Sequence, residues 1–508
     1  MKTKKTSLYI NISASIVAFM VQIIINFFLS PYIIEKLGEE SYGFISLASN
    51  FVSYASLISS AVNAMAQRHI SISYNRGDFN EANCFYKSIY AINVVCSIII
   101  MLGSTFLIVN LQKFLNVSDG IVNEVRITFF LTFFNFIVSL FSSIYGVSTF
   151  CTNRMELNSI RQIVANVVRA VLSVILYLVL VPKEYYLVIA ALVSGILVLI
   201  LNINLMNKLT PELKLRNGVI DIKKIWILIK SGVWMFVSQL SNLLLTGLDL
   251  LITNVYVDAK SMGRLSIAKQ IPNSLGILLG CFSSIFQATF TQYVAHDDKE
   301  GLTKEMTFTL RMLGVMMTVP FAGIIVFGIP FMELWLHSKN LPIFQIYCLM
   351  LLELVNIIAN AYMYSVHSLF VAYDKVKYYS IFIFVGSIIS VVGTILIVSF
   401  TNLGIYAVAG TSTVVLAVIN GFLVPVYAAK VLNLKWNTIL KVIGKAYVVL
   451  AITIIFFIPF RNFFVLDSWI KFFSVVMVVG IMGYILTFFL FLKKEERIKA
   501  LKMIKRKR

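Results

Sequence analysis

Long uninterrupted apolar runs constrain the fold of this 508-residue chain more than any other feature. A run of about 20 apolar residues crosses a bilayer as an α-helix, whereas outer-membrane strands would show alternating segments of about 10 residues. The chain is 59% hydrophobic and 13% charged, which is too apolar for a soluble protein with a solvated surface. About fourteen transmembrane helices are predicted, near residues 10–33, 42–66, 88–109, 127–150, 159–181, 186–206, 231–256, 266–293, 309–332, 344–370, 377–400, 404–429, 441–460 and 469–491.

Basic residues predict the orientation of these helices. The formal net charge is +20, and Lys and Arg concentrate in alternate loops, above all in the linker 207–230 and the tail 492–508. Positive charge in short loops marks the cytoplasmic side of a membrane protein. We therefore predict a multi-pass protein with both termini in the cytoplasm, and we expect no nucleic-acid partner.

The chain contains an internal repeat. Ser41–Ala48 reads SYGFISLA and Ser261–Ala268 reads SMGRLSIA, and we call these segments the first and second copies. An even number of predicted helices separates them, so the two halves are predicted to be parallel repeats around a central cavity, with rocking of the lobes giving alternating access. The expected fold is an all-α integral membrane protein with two lobes of about six helices each and two peripheral helices. The predicted lobes are residues 1–206 and 231–430, joined by the cytoplasmic linker 207–230. The peripheral helices lie within 441–491, and a basic tail follows at 492–508.

Polar side chains recur at helical spacing inside several runs, so they gather on one face of each helix. Asn26, Asn50 and Asn242 belong to three such faces, and Arg169 shares a fourth with Gln162 and Asn166. Hydrogen bonding between helices explains isolated Ser and Thr residues. Faces that carry amides and ionisable groups over several turns favour a water-filled lumen, because each group otherwise needs a buried partner.

Ionisable side chains inside apolar runs are costly and mark candidate sites. A diphosphate needs cations around it, and Arg169, Lys269 and Arg68 are the candidates. The acids Asp249 and Glu353 could bind a coupling proton or sodium ion, since burial raises the proton affinity of a carboxylate. Three alternatives stay open. Asp249 could form an ion pair with Lys269, Arg169 could pair with a carbonyl or an acid that holds helices in register, and Arg68 could have a topological role at its helix end.

The sequence lacks the common motifs of catalysis and metal binding. The sequence has no Walker-type phosphate loop, no H-E-x-x-H helix and no G-x-S-x-G elbow. Its five cysteines form no C-x-x-C pair. We expect no enzymatic activity, no cofactor and no metal. Without a nucleotide-binding domain, transport would draw on an ion gradient or on the gradient of the substrate itself.

Several short motifs resemble the polysaccharide flippases, the Wzx-like transporters of the multidrug/oligosaccharidyl-lipid/polysaccharide (MOP) superfamily. These motifs are LGEESYG at Leu37–Gly43, the pair Gln67-Arg68, and Leu248-Asp249 followed by SMGRLSIAK. The resemblance covers essentially the whole chain. It implies a bacterial plasma-membrane flippase for oligosaccharides on undecaprenyl diphosphate, serving capsule, O-antigen or exopolysaccharide synthesis beside a polymerase and other glycan-assembly proteins. Asp249 matches the acid of the family's seventh helix.

Two other hypotheses compete with a flippase. A multidrug exporter of the same superfamily would keep the fold and line its cavity with acids for cationic drugs. A membrane-embedded glycan polymerase would need a sizeable outer loop, which the short predicted loops disfavour. The sign of the charge in the cavity separates the first of these hypotheses from the flippase.

Overall fold

The computed structural model describes residues 2–152, 154–215, 218–295, 298–336, 341–373 and 375–497. Within these ranges every regular element is a helix, because a helix pairs its backbone N–H and C=O groups within one segment, as lipid requires. The α-helices are α1 (Lys2–Asn75), α2 (Phe79–Val109), α3 (Leu111–Phe114), α4 (Val122–Tyr145), α5 (Val147–Cys151), α6 (Met155–Val179), α7 (Tyr185–Leu209), α8 (Ile222–Asn242), α9 (Asp249–Tyr256), α10 (Ala259–Ala295), α11 (Lys299–Leu336), α12 (Ile343–Ala361), α13 (Met363–Ala372), α14 (Val376–Phe400), α15 (Ile405–Val418), α16 (Val424–Val431), α17 (Asn437–Phe463) and α18 (Trp469–Phe491).

The first two predicted helices form one long element with a break. Gly38 is the residue of α1 outside helical geometry, with φ of 84° and ψ of 172°. Glycine adopts that φ without the steric strain that a Cβ would cause, so the helix kinks at Gly38 and resumes at Glu39. The break between the predicted helices 10–33 and 42–66 is thus confined to one residue, and Ser41–Ala48 is helical.

Eleven helices of the described part are long and apolar enough to cross a membrane. This confirms an all-α, multi-pass membrane protein. The predicted spans 10–33 and 42–66 merge in the segment Met20–Leu57, and the predicted spans 231–256 and 266–293 include side chains outside the described set. The count of about fourteen spans therefore stays a prediction.

The segment Met1–Ser266 forms the first of two compact units. α1 packs against α2, α4, α6 and α8, while α4 packs against α7. Asn63 of α1 and Asn93 of α2 are buried together and exchange side-chain hydrogen bonds of 3.2 and 3.0 Å. This pair joins two helices in the way expected of polar residues in membranes.

Ile267–Arg508 forms the second unit. α11 packs against α12, α17 and α18. α17 and α18, predicted as peripheral helices, bury Phe457, Phe472 and Val479 in a cluster with α11. The boundaries of the predicted lobes, 1–206 and 231–430, stay a prediction, and the predicted basic tail lies outside the described residues beyond Arg497.

Two π-helical turns interrupt the α-helices. The first, Leu243–Gly247, joins α8 to α9, and the second, Ile419–Leu423, joins α15 to α16. Such turns break the regular i→i−4 hydrogen-bond pattern and often occur at functional sites. Here the first turn ends just before Asp249, and the second contains the buried Asn420.

Candidate functional site

A polar cavity of about 410 Å³ lies within the first unit. Its walls come from α4, α5, α6, α7 and the later part of α1. Among the described residues that line it, Arg169 is the sole charged side chain. Amides and hydroxyls make up the polar remainder, including Gln67, Asn135, Ser139, Asn158, Gln162, Asn166 and Ser194. The cavity is therefore positive and rich in hydrogen-bonding groups, which suits sugar hydroxyls and anions.

Arg169 is placed in this cavity by the helical spacing of α6. Gln162, Asn166 and Arg169 line the cavity together, as residues three and four apart share one face of a helix. The Nε of Arg169 is buried and makes no hydrogen bond within the described part of the chain. A buried donor without a partner is energetically costly, so this group is available to an anionic ligand.

The polar face of α4 divides into two parts. Thr128 and Thr132 bond to carbonyl oxygens one turn earlier, at 2.8 and 2.6 Å. Asn135 and Ser139, farther along the same helix, reach the cavity. The Oδ1 of Asn135 is buried and has no hydrogen-bond partner among the described residues. Ser139, like the two threonines, donates to a carbonyl oxygen one turn earlier, at 3.0 Å. The buried oxygen of Asn135 is therefore the group on this face that stays open to a ligand.

Arg161 was missed by the sequence analysis. It is buried in α6, about two turns before Arg169, and it donates to the carbonyl of Leu157 at 3.0 Å and to Oδ1 of Asn202. Asn202 in turn donates to the hydroxyl of Ser142 at 2.8 Å, and both of these residues line the cavity. Arg161 therefore positions part of the cavity wall. Its spacing of about two helical turns from Arg169 is the sequence signal that could have identified it.

Asp249 is buried at the start of α9, directly after a π-helical turn. The carbonyl oxygen of Gly247 in that turn accepts hydrogen bonds from Nδ2 of Asn50 at 3.1 Å and from the hydroxyl of Tyr54 at 2.6 Å. Tyr54 also interacts electrostatically with Asp249. Asn50, predicted as a cavity residue, thus ties α1 to the backbone beside Asp249.

A buried ion pair lies in the second unit. Nζ of Lys269 is 3.5 Å from Oε1 of Glu353, and the two side chains are 10% and 7% exposed. Because the lysine already supplies positive charge, a coupling cation at Glu353 would first have to displace it. The alternative pairing of Lys269 with Asp249 stays a prediction.

The other predicted residues lie apart from the polar cavity. Arg68 is exposed near the end of α1, next to Gln67, which does line the cavity. Asn242 is exposed at the end of α8, and Asn26 is half-buried in α1. Of the predicted site residues, Arg169 is thus the one found among the described residues that line the polar cavity. The predicted cavity between two lobes stays a prediction.

The two copies of the internal repeat contact each other. A Cβ built on Gly43 would lie 2.8 Å from the Cα of Gly263, so the bare backbones of the two glycines touch. Ser266 donates a hydrogen bond of 2.6 Å to the hydroxyl of Ser46. Both contacts join equivalent positions of the repeat, Gly43 with Gly263 and Ser46 with Ser266.

An ion pair reinforces this contact beside the kink of α1. Arg264 donates from Nε and from its terminal nitrogen to the two carboxylate oxygens of Glu39, at 3.0 Å each. Such bidentate pairing fixes geometry as well as charge. We call this end of the first unit the Gly38 end, and by the predicted orientation it is the outer side.

The second unit holds an apolar cavity of about 520 Å³, lined by α11, α17 and α18 and by residues of α10 and α12. Gly323 and Gly480 belong to its lining, and a Cβ on either would meet no atom within 4 Å. The neighbouring side chains are mainly aromatic and aliphatic. The cavity suits an alkyl or isoprenoid chain and offers little to a polar group.

These features define an α-helical membrane protein with the fold of the MOP superfamily. An inward-facing multidrug resistance MATE family transporter of that superfamily matches with a TM-score of 0.66, over 83% of this chain and 98% of that chain. The Lipid II flippase MurJ in an inward closed conformation matches with a TM-score of 0.67, over 93% and 96%. Each is 13% identical to this chain.

The sequence comparison is more specific. The family model described as polysaccharide biosynthesis protein matches residues 8–290, and the chain belongs to this family. It is also 26% identical over 505 residues to the uncharacterized membrane protein EpsK of Bacillus subtilis (strain 168), with 98% of each protein covered.

Proposed function

We propose that the protein is a flippase that moves oligosaccharides linked to undecaprenyl diphosphate from the cytoplasmic to the outer leaflet by alternating access. The observation that carries this proposal is the chemistry of the polar cavity. Its amides and hydroxyls match sugar hydroxyls, and Arg169 supplies the counter-charge that a phosphate needs away from water. Membership in the polysaccharide biosynthesis family supports a glycan as the cargo.

The charge of the cavity argues against export of cationic drugs. Such cargo requires acidic groups in the lining, whereas the described lining residues include Arg169 and no Asp or Glu. A positive cavity would repel a cation and attract a phosphate. The flippase is therefore the better hypothesis, and an ion-coupled multidrug exporter is the alternative that a transport assay distinguishes.

The apolar cavity of the second unit supports a lipid-linked substrate over a free sugar. An isoprenoid chain needs apolar surroundings throughout transfer, and burial of apolar surface stabilises it by about 25 cal/mol per Å². The aromatic and aliphatic lining around Gly323 and Gly480 provides such a surface. No covalent bond of the substrate changes in this transfer, so the proposal requires neither a catalytic residue nor a cofactor.

Arg169→Gln tests the proposal in cells that depend on this protein for their surface glycan. Loss of a charge-assisted hydrogen bond of about 1.5–3 kcal/mol should lower surface glycan about tenfold or more, at an unchanged protein level in the membrane. Arg169→Lys keeps the charge and should retain part of the activity. Arg154→Gln changes an exposed arginine and serves as the control. Wild-type glycan output from Arg169→Gln would remove Arg169 from the site.

A further inference from the structure

Three consecutive residues at the Gly38 end contact three different elements. Glu39 pairs with Arg264 of α10, and Glu40 accepts two hydrogen bonds from the loop between α3 and α4, at 3.2 and 3.0 Å. Ser41, which begins the first copy, faces the carboxyl group of Glu184. A movement that separates the two copies of the repeat therefore also displaces the segment that covers Glu184.

Glu184 immediately precedes α7 and is completely buried. Neither of its carboxylate oxygens completes a hydrogen bond within the described part of the chain. An ionised carboxylate in this position would lose more hydration than the nearby hydroxyl of Ser41 compensates, and a bound proton removes that cost. Burial accordingly raises the pKa of Glu184 to about 7.

The surroundings of Glu184 disfavour its ionisation further. The titratable and charged groups that face it or lie beside it are Glu40 in α1, Glu124 in α4, Tyr177 in α6 and Lys183 in the α6–α7 loop. Two of these are acids, whose negative charge opposes a third. The ammonium of Lys183 is engaged by Glu124 at 2.6 Å. The hydroxyl of Ser41 favours the charged form of Glu184, but burial outweighs it.

We propose that Glu184 is a proton-binding site linked to the repeat contact: it holds a proton while the two copies touch and releases it when they separate. Separation would hydrate the carboxyl group, and a hydrated glutamate has a pKa of about 4.3. The form in which the two copies touch then binds more protons than the form in which they are apart, between about pH 4.3 and about pH 7. Contact between the two copies is therefore most favourable at low pH. Its free energy becomes less favourable as pH rises across this window and changes little above it.

The distance between the two copies can be followed by spin labels. Lys36→Cys and Lys260→Cys place labels at exposed positions of α1 and α10, in a background whose five native cysteines are replaced by serine. Pulsed electron spin resonance in lipid nanodiscs between about pH 5 and 8 should show the short-distance population decrease as pH rises. Glu184→Gln, which is permanently neutral, should keep that population high at every pH.

Two further variants separate this site from other acids. Glu35→Gln removes an exposed carboxylate at the same end and should preserve the wild-type pH profile. Ser41→Ala removes the hydroxyl that favours ionisation and should move the midpoint to higher pH. Infrared spectra at low pH should contain a protonated carboxyl band that Glu184→Gln lacks. A wild-type distance that does not depend on pH, or an unchanged titration in Glu184→Gln, would overturn the proposal.

Discussion

At the scale of single residues, some buried polar side chains of this protein hydrogen-bond across helices, and others keep an atom without a partner. Asn63 and Asn93 satisfy each other, whereas Asn135 and Arg169 each keep a buried atom without a partner among the described residues. Retaining such atoms lowers stability, and their presence in one cavity is the basis for the proposal that the cavity binds a ligand.

Arg161 should contribute to stability because it supports the cavity wall. Arg161→Leu would leave Oδ1 of Asn202 without this donor, at a cost of about 1–3 kcal/mol. The apparent melting temperature in detergent should fall by about 1–3 °C. Arg154→Leu alters an exposed arginine and should leave the melting temperature unchanged. Equal melting of Arg161→Leu and the wild type would contradict the supporting role.

Pairings between distant residues were the part of the site that the sequence could not predict. Helical spacing indicated the face of Arg169 in advance. It could not indicate that Lys269 lies beside Glu353, or that Glu184 is buried, because both depend on how neighbouring helices rotate and where a loop ends.

At the scale of elements, the repeat was the most informative part of the sequence. Its small residues at equivalent positions, Gly43 and Gly263, are the ones whose backbones meet. A side chain at either position would force the two segments apart. The π-helical turns were not predicted, since a shift of backbone hydrogen bonds leaves no pattern of side chains.

The apolar cavity of the second unit yields a prediction about the lipid chain. Gly480→Leu should fill part of the cavity without a clash, since a Cβ there meets no atom within 4 Å. Transfer of a substrate with a full-length isoprenoid chain should slow several-fold, while a short-chain analogue should be affected less. Transfer can be measured with both substrates in liposomes.

Gly444→Leu is the matched control for this prediction. Gly444 lies on α17, has equal space for a Cβ and does not belong to the cavity lining. Its variant should transfer both substrates as the wild type does. Equal slowing of both substrates by Gly480→Leu would indicate a general defect and would count against binding of the chain in this cavity.

At the scale of the whole molecule, composition and apolar runs were sufficient to predict the class of fold. Spanning-length runs dictate helices in lipid, and the eleven candidate spans and the MOP-superfamily fold agree with that prediction. The structure groups Met1–Ser266 and Ile267–Arg508 into two compact units, and the boundaries of the predicted lobes stay a prediction.

Transfer of a lipid-linked oligosaccharide by the purified protein distinguishes a flippase from a multidrug exporter. Liposomes carry the substrate in one leaflet, and an enzyme added outside modifies the head groups that it can reach. The wild-type protein should make the inner pool accessible about tenfold faster than Arg169→Gln does, with no uptake of cationic dyes. Accessibility equal to that of protein-free liposomes, together with dye transport, would contradict the flippase.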